Sequence, residues 1–209
     1  NPKLVIAQCT SGVVGSMPAL NARPQAMLDE WIHRITEELA AWNRDNPDRP
    51  AAPFAVNQIV HKSNNRWEED MVTCEKWQVP IVITSLGARE DLNAAVKGWG
   101  GITMHDVIDD RFARKAIEKG ATCLIPVAAG AGGHAGTLSP FAIVQEIREW
   151  FDGPVALSGS IANGAAGYRA GRARHGARRL HRALVTDHLP EVLPLEVLHH
   201  DVARAVVEL

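Results

Sequence analysis

Residues 127–136 read VAAGAGGHAG, with four glycines, one histidine and no acid. The stretch follows ATCLIP, an apolar run with strand character. A main-chain N–H reaches a phosphate closely only where no Cβ stands in the way. Gly130, Gly132 and Gly133 supply such a stretch directly after a strand. A second glycine loop, SGSIANG at 158–164, follows the next strand and carries Gly159, Ser160 and Gly164. Glycine loops on two successive strand ends would form a shared anion cradle, the alternative being plain turns. His134, inside the first loop, can donate or accept a hydrogen bond near neutral pH. It has no second histidine or carboxylate at ligand spacing, so no metal is expected. His105 lies near the end of the segment GGITMHDV and is followed by Asp106, which suits a general base held by a carboxylate, or a surface turn. Asn57, near the end of FAVNQIV, is a candidate ligand contact.

The elements that must position these residues alternate. NPKLVIAQCTSG reads as a helix ending at Gly12, and VVGSM as a strand. RPQAMLDEWIHRITEELAAWNR carries Leu28, Trp31, Ile32, Ile35, Leu39 and Trp42 at helical spacing, with Pro24 in its first turn. FAVNQIV, PIVITSL, GGITMHDV, ATCLIPVAA and PVALSGS read as further strands. Helices intervene, among them one capped by Asp109 or Asp110 and closed by Gly120, and one capped by Ser139 with Pro140 at its first position. Short strands that are apolar throughout predict a parallel sheet covered on both faces. A doubly wound sheet and a (β/α)8 barrel both fit. The first strand lacks GxGxxG, and the glycine loops come late, where barrels place phosphate sites.

From Tyr168 to Arg182 the chain is nearly all Arg, Ala, Gly and His, without a strand or an apolar stripe. The expected division is therefore 1–166 as the α/β unit with the glycine loops and 167–209 as an atypical tail, disordered or frame-shifted. A net charge of −2 among 209 residues offers no general attraction to nucleic acid, and the tail's arginines come with no aromatic platform. No apolar run of membrane-spanning length occurs, and no secretory signal is visible. Cys9, Cys74 and Cys123 lie far apart without CxxC spacing, as reduced, buried thiols of a cytoplasmic protein do.

Together the loops resemble a known family. AAGAGGHAG resembles the AGGH loop of the FMN-dependent nitronate monooxygenases, formerly 2-nitropropane dioxygenases, and VALSGSIANG resembles their following strand and phosphate loop. GSMPALNARP and PFAVNQIV resemble the early strand–loop segments of the same group, so the match covers roughly residues 1–165. The resemblance implies a (β/α)8 TIM barrel binding FMN across its strand ends. It places the FMN phosphate on Gly132, Gly133, Gly159 and Ser160, and beside it the residues read above stand as a cofactor contact, Asn57, and as catalytic candidates, His134 and His105. The implied reaction joins a small alkyl nitronate and O2, giving a carbonyl compound and nitrite. Relatives on the same barrel reduce quinones or enoyl thioesters with NAD(P)H, and a catalytically silent homologue is a third reading.

Three departures accompany the resemblance. The family's catalytic histidine, early in the helix DDRFARKAIEKG, aligns with Phe112, which cannot take a proton. The family's first strand is expected before Asn1, and after SIANGAA the Arg/Gly/His run stands where an alanine-rich helix and a last strand belong. The expectation is a barrel incomplete at both ends, with unpaired edges, weak or absent FMN binding, and a tendency to homo-oligomerise. Neither a nucleic acid nor a membrane is an expected partner.

Overall fold

The computed structural model describes residues 1–159. The elements alternate as the sequence predicts. The first helix, α1 (Pro2–Thr10), leads to β1 (Gly15–Pro18) and a single 3-10 turn at Ala19–Asn21. Then come α2 (Ala26–Asp45), β2 (Phe54–Ile59), α3 (Trp67–Lys76), β3 (Ile81–Ser85), α4 (Glu90–Gly98) and β4 (Ile102–Val107). The last are α5 (Asp110–Glu118), β5 (Cys123–Pro126) and α6 (Pro140–Arg148).

The sheet has the order β1-β2-β3-β4-β5, with parallel register Met17–Val56 and Val56–Val82. A doubly wound sheet reverses its strand order at a switch point, whereas consecutive order is that of a (β/α) barrel. Each β-to-β connection carries a helix, as parallel strands require. The segment PVALSGS, expected as a strand, pairs with β5 through the bridges Leu124–Val155 and Val127–Ser158.

The described residues divide into two compact units, one of residues 1–104 and one from residue 105 onward, with the boundary inside β4. In the first, α2 buries Leu28, Ile32, Ile35 and Leu39, the i, i+4, i+7, i+11 stripe read from the sequence. They pack with Val5, Cys9, Met17, Val56 and Val82. Each such fully buried aliphatic side chain contributes on the order of 1.5–3 kcal/mol. In the second, Val107, Ala113, Ala116, Leu124, Ala128, Ile143, Ile147 and Val155 form the core. Helix α5 buries the small side chains of Ala113 and Ala116 in this core, with the partly buried Ile117 packed against it.

The caps also match. Asp109 accepts from Phe112 N–H at 2.9 Å and Ser139 Oγ from Ala142 N–H at 3.2 Å, with Pro140 opening α6.

Two sequence expectations differ. Helix α2 starts at Ala26, so Pro24 precedes it, and Pro24 O and Gln25 O accept the first turn-closing bonds from Met27 and Leu28. The strands are not uniformly covered either. Strands β2, β3 and β5 are buried almost throughout, but β1 and β4 bury only alternate residues, the pattern of a strand with one covered face.

All three cysteines are unpaired and buried. Burial pushes the thiols up, Cys9 to about 11 and Cys74 and Cys123 to about 12, which disfavours the reactive thiolate. Among the described residues, no helix is long and apolar enough to cross a membrane.

The junction of α1 and β1 yields a stability prediction. A Cβ added at Gly15 would clash with Val5 O and lie 2.9 Å from Cys9 Sγ. Gly15→Ala is therefore expected to lower the urea unfolding midpoint by the equivalent of ~1–3 kcal/mol. An unchanged midpoint would show that α1 does not pack on β1 in this way.

Candidate phosphate-binding site

The site begins where β5 ends. Val127 N–H donates to Val107 O at 2.8 Å and Ala128 N–H to Ser158 O at 2.9 Å, so the chain leaves the sheet between two strand partners. The loop that follows is closed at its base. Gly136 N–H returns to Val127 O at 2.9 Å and Ala129 N–H reaches Leu138 O at 2.8 Å. A turn bond from Ala131 N–H to Ala128 O shapes its start. Gly130 (φ 90°) and Gly133 (φ 68°) occupy the left-handed region that side-chain-bearing residues avoid. Gly136 is packed, since a Cβ there would lie 2.8 Å from Ile108 O.

Gly132, Gly133 and His134 form the exposed tip. A Cβ on Gly132 would meet nothing within 4 Å, so the space above this residue is open. Among the described residues, the N–H groups of Gly130, Gly132, Gly133 and His134 have no backbone acceptor. Helix α6 begins at Pro140, close behind the loop in sequence, and its N-terminal end carries partial positive charge. A short stretch of amides free of backbone acceptors and without a neighbouring carboxylate can take an anion with several oxygens.

The second glycine loop meets the first. Gly159 is buried at φ 122°, and a Cβ on it would lie 3.0 Å from Ala128 O, 3.2 Å from Ala129 O and 3.2 Å from Ala131 N. The two loops expected to act together are thus in backbone contact at Gly159. Ser160 and Gly164, expected to join the cradle, lie outside the described residues, as does the 167–209 tail.

The two histidines differ sharply. His134 is exposed on the loop. His105 is buried, 5% exposed, on the same face of β4 as Val107, which packs into the core with Ala113, Leu124 and Ile143. Burial lowers its pKa from 6.5 to about 4, so the imidazole is neutral at pH 7. Asp106, the next residue on the strand, belongs to the opposite, half-buried face. Phe112 is 40% exposed in the first turn of α5, with the Arg111 guanidinium 4.8 Å from its ring centroid.

Asn57 belongs to the first unit. It is 5% exposed on β2, in register with Pro18 and Ile83. Its Oδ1 accepts from Ser85 Oγ at 3.1 Å. Ser85 was not among the residues selected from the sequence. Its signal was a hydroxyl closing the strand next to that of Asn57, which no single-segment reading pairs with an amide 28 residues earlier.

No family model and no curated protein sequence matches the chain. Solved structures do. FabK from Thermotoga maritima has a TM-score of 0.67 and 24% identity, over 81% of this chain and 50% of that one. A single-site mutant of the same protein has a TM-score of 0.62 and 25% identity, over 81% and 52%. Nitroalkane oxidase from Streptomyces ansochromogenes has a TM-score of 0.67 and 20% identity, over 81% and 58%. The chain thus spans about half the length of the FabK structures it resembles. The likeness establishes the α/β fold, with a consecutive parallel sheet of barrel type.

Two predictions follow from the site's geometry. Gly132→Ala is expected to leave the thermal midpoint within about 0.5 kcal/mol of wild type, as an exposed substitution does. Gly159→Ala is expected to lower it clearly, because a left-handed backbone and three close backbone atoms oppose a Cβ. Equal midpoints for the two variants would contradict the contact between the loops. For His105, the folded pKa lies below the unfolded one, so the unfolded chain binds more protons between about pH 4 and pH 6.5. The stability from keeping it neutral is full above pH 6.5 and is lost as pH falls toward 4. In His105→Gln this component of the acid-side slope should vanish in urea titrations, and an unaltered slope would mean that His105 is solvated.

Proposed function

We propose that the chain serves FMN-dependent oxidoreduction on a (β/α) barrel scaffold, with the FMN phosphate held by the loops at Gly132, Gly133 and Gly159, joined by Ser160. The observation that carries this reading is the packing of Gly159 against Ala128, Ala129 and Ala131, in a loop where the N–H groups of Gly130, Gly132, Gly133 and His134 have no backbone acceptor among the described residues. A phosphate dianion fits that donor set. It needs several N–H groups without a competing carboxylate, and the open space over Gly132 gives its oxygens room. The solved structures of FabK and nitroalkane oxidase, alike in fold, add support for a flavin enzyme.

The favoured substrate reading is an alkyl nitronate, oxidised with O2 to a carbonyl compound and nitrite. Bound FMN would supply the electron-accepting capacity for such a substrate. The chain's own residues then have limited tasks. The loop amides bind and orient the phosphate. His134, exposed at the loop tip, is the catalytic candidate able to hold or give a proton without leaving a core. His105 stays neutral and is packed on the helix side of β4, and Phe112 carries no exchangeable proton. A substrate that arrives already anionic needs no base to remove a carbon-bound proton, which suits a nitronate better than a neutral nitroalkane. The second reading, reduction of an enoyl or quinone substrate with NAD(P)H, draws on the FabK likeness at 25% identity for the single-site mutant.

Fluorescence titration tests the common part of both. FMN quenching should be saturable, weak, and competed by inorganic phosphate. Gly132→Ala, which leaves the fold intact, should weaken binding about tenfold, because its methyl group occupies the anion's approach. FMN binding insensitive to both phosphate and this substitution would reject the loops as the site. Oxygen uptake with an alkyl nitronate, set against NADH oxidation with a quinone, then separates the two substrate readings.

A further inference from the structure

In the first unit, the segment that follows β1 is tied down by a side chain far along the chain. Arg66, just before α3, donates from Nη1 to Ala22 O at 2.8 Å and from Nη2 to Ala19 O at 3.5 Å. Both alanines are buried. The same Nη2 meets Asp70 Oδ1 at 3.0 Å, one helical turn on. Asp70 is fully buried, and among the described residues its carboxylate is the one paired with Arg66. One guanidinium thus joins the 3-10 turn at Ala19–Asn21, helix α3 and a buried charge.

The pair is incompletely served. Asp70 Oδ2 and Arg66 Nε are sealed from solvent without a hydrogen-bond partner among the described residues. A carboxylate satisfied at one oxygen is a costly buried charge, and losing one partner of a buried pair leaves the other uncompensated. The groups acting on Asp70 are few. Arg66 favours its charged form, and Glu69, its neighbour on α3, opposes it. Gln25 Nε2, just before α2, donates to Thr73 Oγ1 at 3.1 Å and lies near enough to favour the carboxylate as well. Cys74, one turn further on, is held as a neutral thiol. Strand β2 meets α3 where Gln58 reaches Cys74, and it has no ionisable side chain. On the flanking helices, Asp29 is taken by Lys76 and Asp91 by Arg89, and His33 stacks on Trp77 beyond the end of α3. Desolvation outweighs the favourable partners and holds the Asp70 carboxyl above its usual range.

We propose that Arg66 and Asp70 form an acid-sensitive latch. Proton uptake by Asp70 removes the counter-charge of the guanidinium, Arg66 turns to solvent and leaves the carbonyls of Ala19 and Ala22, and the segment joining β1 to α2 is released while the sheet stays folded. That segment lies at the C-terminal edge of the sheet, the edge at which (β/α) barrels place their sites. The latch is independent of the function proposed above.

Amide exchange in the intact chain, followed by NMR from about pH 7 to about pH 4 and divided by the intrinsic rate, reads the release. Ala22 N–H closes the turn onto Ala19 O at 3.1 Å. Its protection should fall about tenfold as Asp70 titrates, the equivalent of one charge-assisted hydrogen bond. Val56 N–H, in the core strand β2, should keep its protection. The Ala22 midpoint should coincide with that of the Asp70 carboxyl carbon and lie above the range of an exposed aspartate. Asp70→Asn should leave Ala22 poorly protected at every pH, with no step. Glu69→Gln should keep the step and move it to lower pH, because one like charge is gone. A step that persists in Asp70→Asn, or an Ala22 midpoint apart from that of Asp70, overturns the latch. Simultaneous loss of protection at Val56 overturns it too, since the whole unit would then be unfolding. Should Asp70→Asn fail to fold, the wild-type midpoints and the Glu69→Gln shift decide the matter. Coincident midpoints that move together support the latch, and midpoints that separate overturn it.

Discussion

One parallel pairing organises the second unit. Ala128 N–H meets Ser158 O and Ser158 N–H meets Pro126 O, so the segment after α6 lies in register beside the end of β5. That register carries Gly159 directly against the carbonyls of Ala128 and Ala129. Any side chain at 159 would force the two loops apart, both through its volume and through a backbone at φ 122°. Ala128 N–H is taken by that pairing and Val127, Ala129 and Ala131 N–H by other backbone carbonyls, whereas the amides of Gly130, Gly132, Gly133 and His134 have no backbone acceptor among the described residues. Glycine turns are common and mean little singly. Here a sheet register brings Gly159 against the β5 loop, so the two turns are packed together and not independent.

Burial separates the chemistry of similar residues. His105 and His134 carry the same imidazole. One sits on the core face of a strand, where desolvation keeps it uncharged, and the other lies at a solvent-facing loop tip. The cysteines follow the same rule, since the environment that packs them also withholds the thiolate. Arg66 shows the converse. Its guanidinium reaches Ala22 O at 2.8 Å and Asp70 Oδ1 at 3.0 Å, so a partly buried charge spends its donors tying the segment after β1 to α3. Burial nevertheless holds the Asp70 carboxyl above its usual range, the Arg66 bond offsetting only part of that effect.

The amino-acid sequence by itself determined the element order and the helix boundaries marked by strong local chemistry. The i, i+4, i+7, i+11 stripe of α2, the Asp109 and Ser139 caps and the Pro140 start are local features, readable because their partners lie within a few residues. It also marked the glycine loops, since glycine at a strand end is a statement about backbone access. Tertiary structure decided what depends on partners far apart in the chain. The consecutive strand order, which separates a barrel-type sheet from a doubly wound one, exists only once the strands are paired. The side of β4 on which His105 falls depends on which face the helices cover, and strand alternation alone leaves that choice open. The Ser85–Asn57 bond joins two strands across 28 residues, and the seat of Gly159 on Ala128–Ala131 joins two loops with α6 between them. Local propensity names the residues able to do chemistry, but long-range backbone register decides which of them meet.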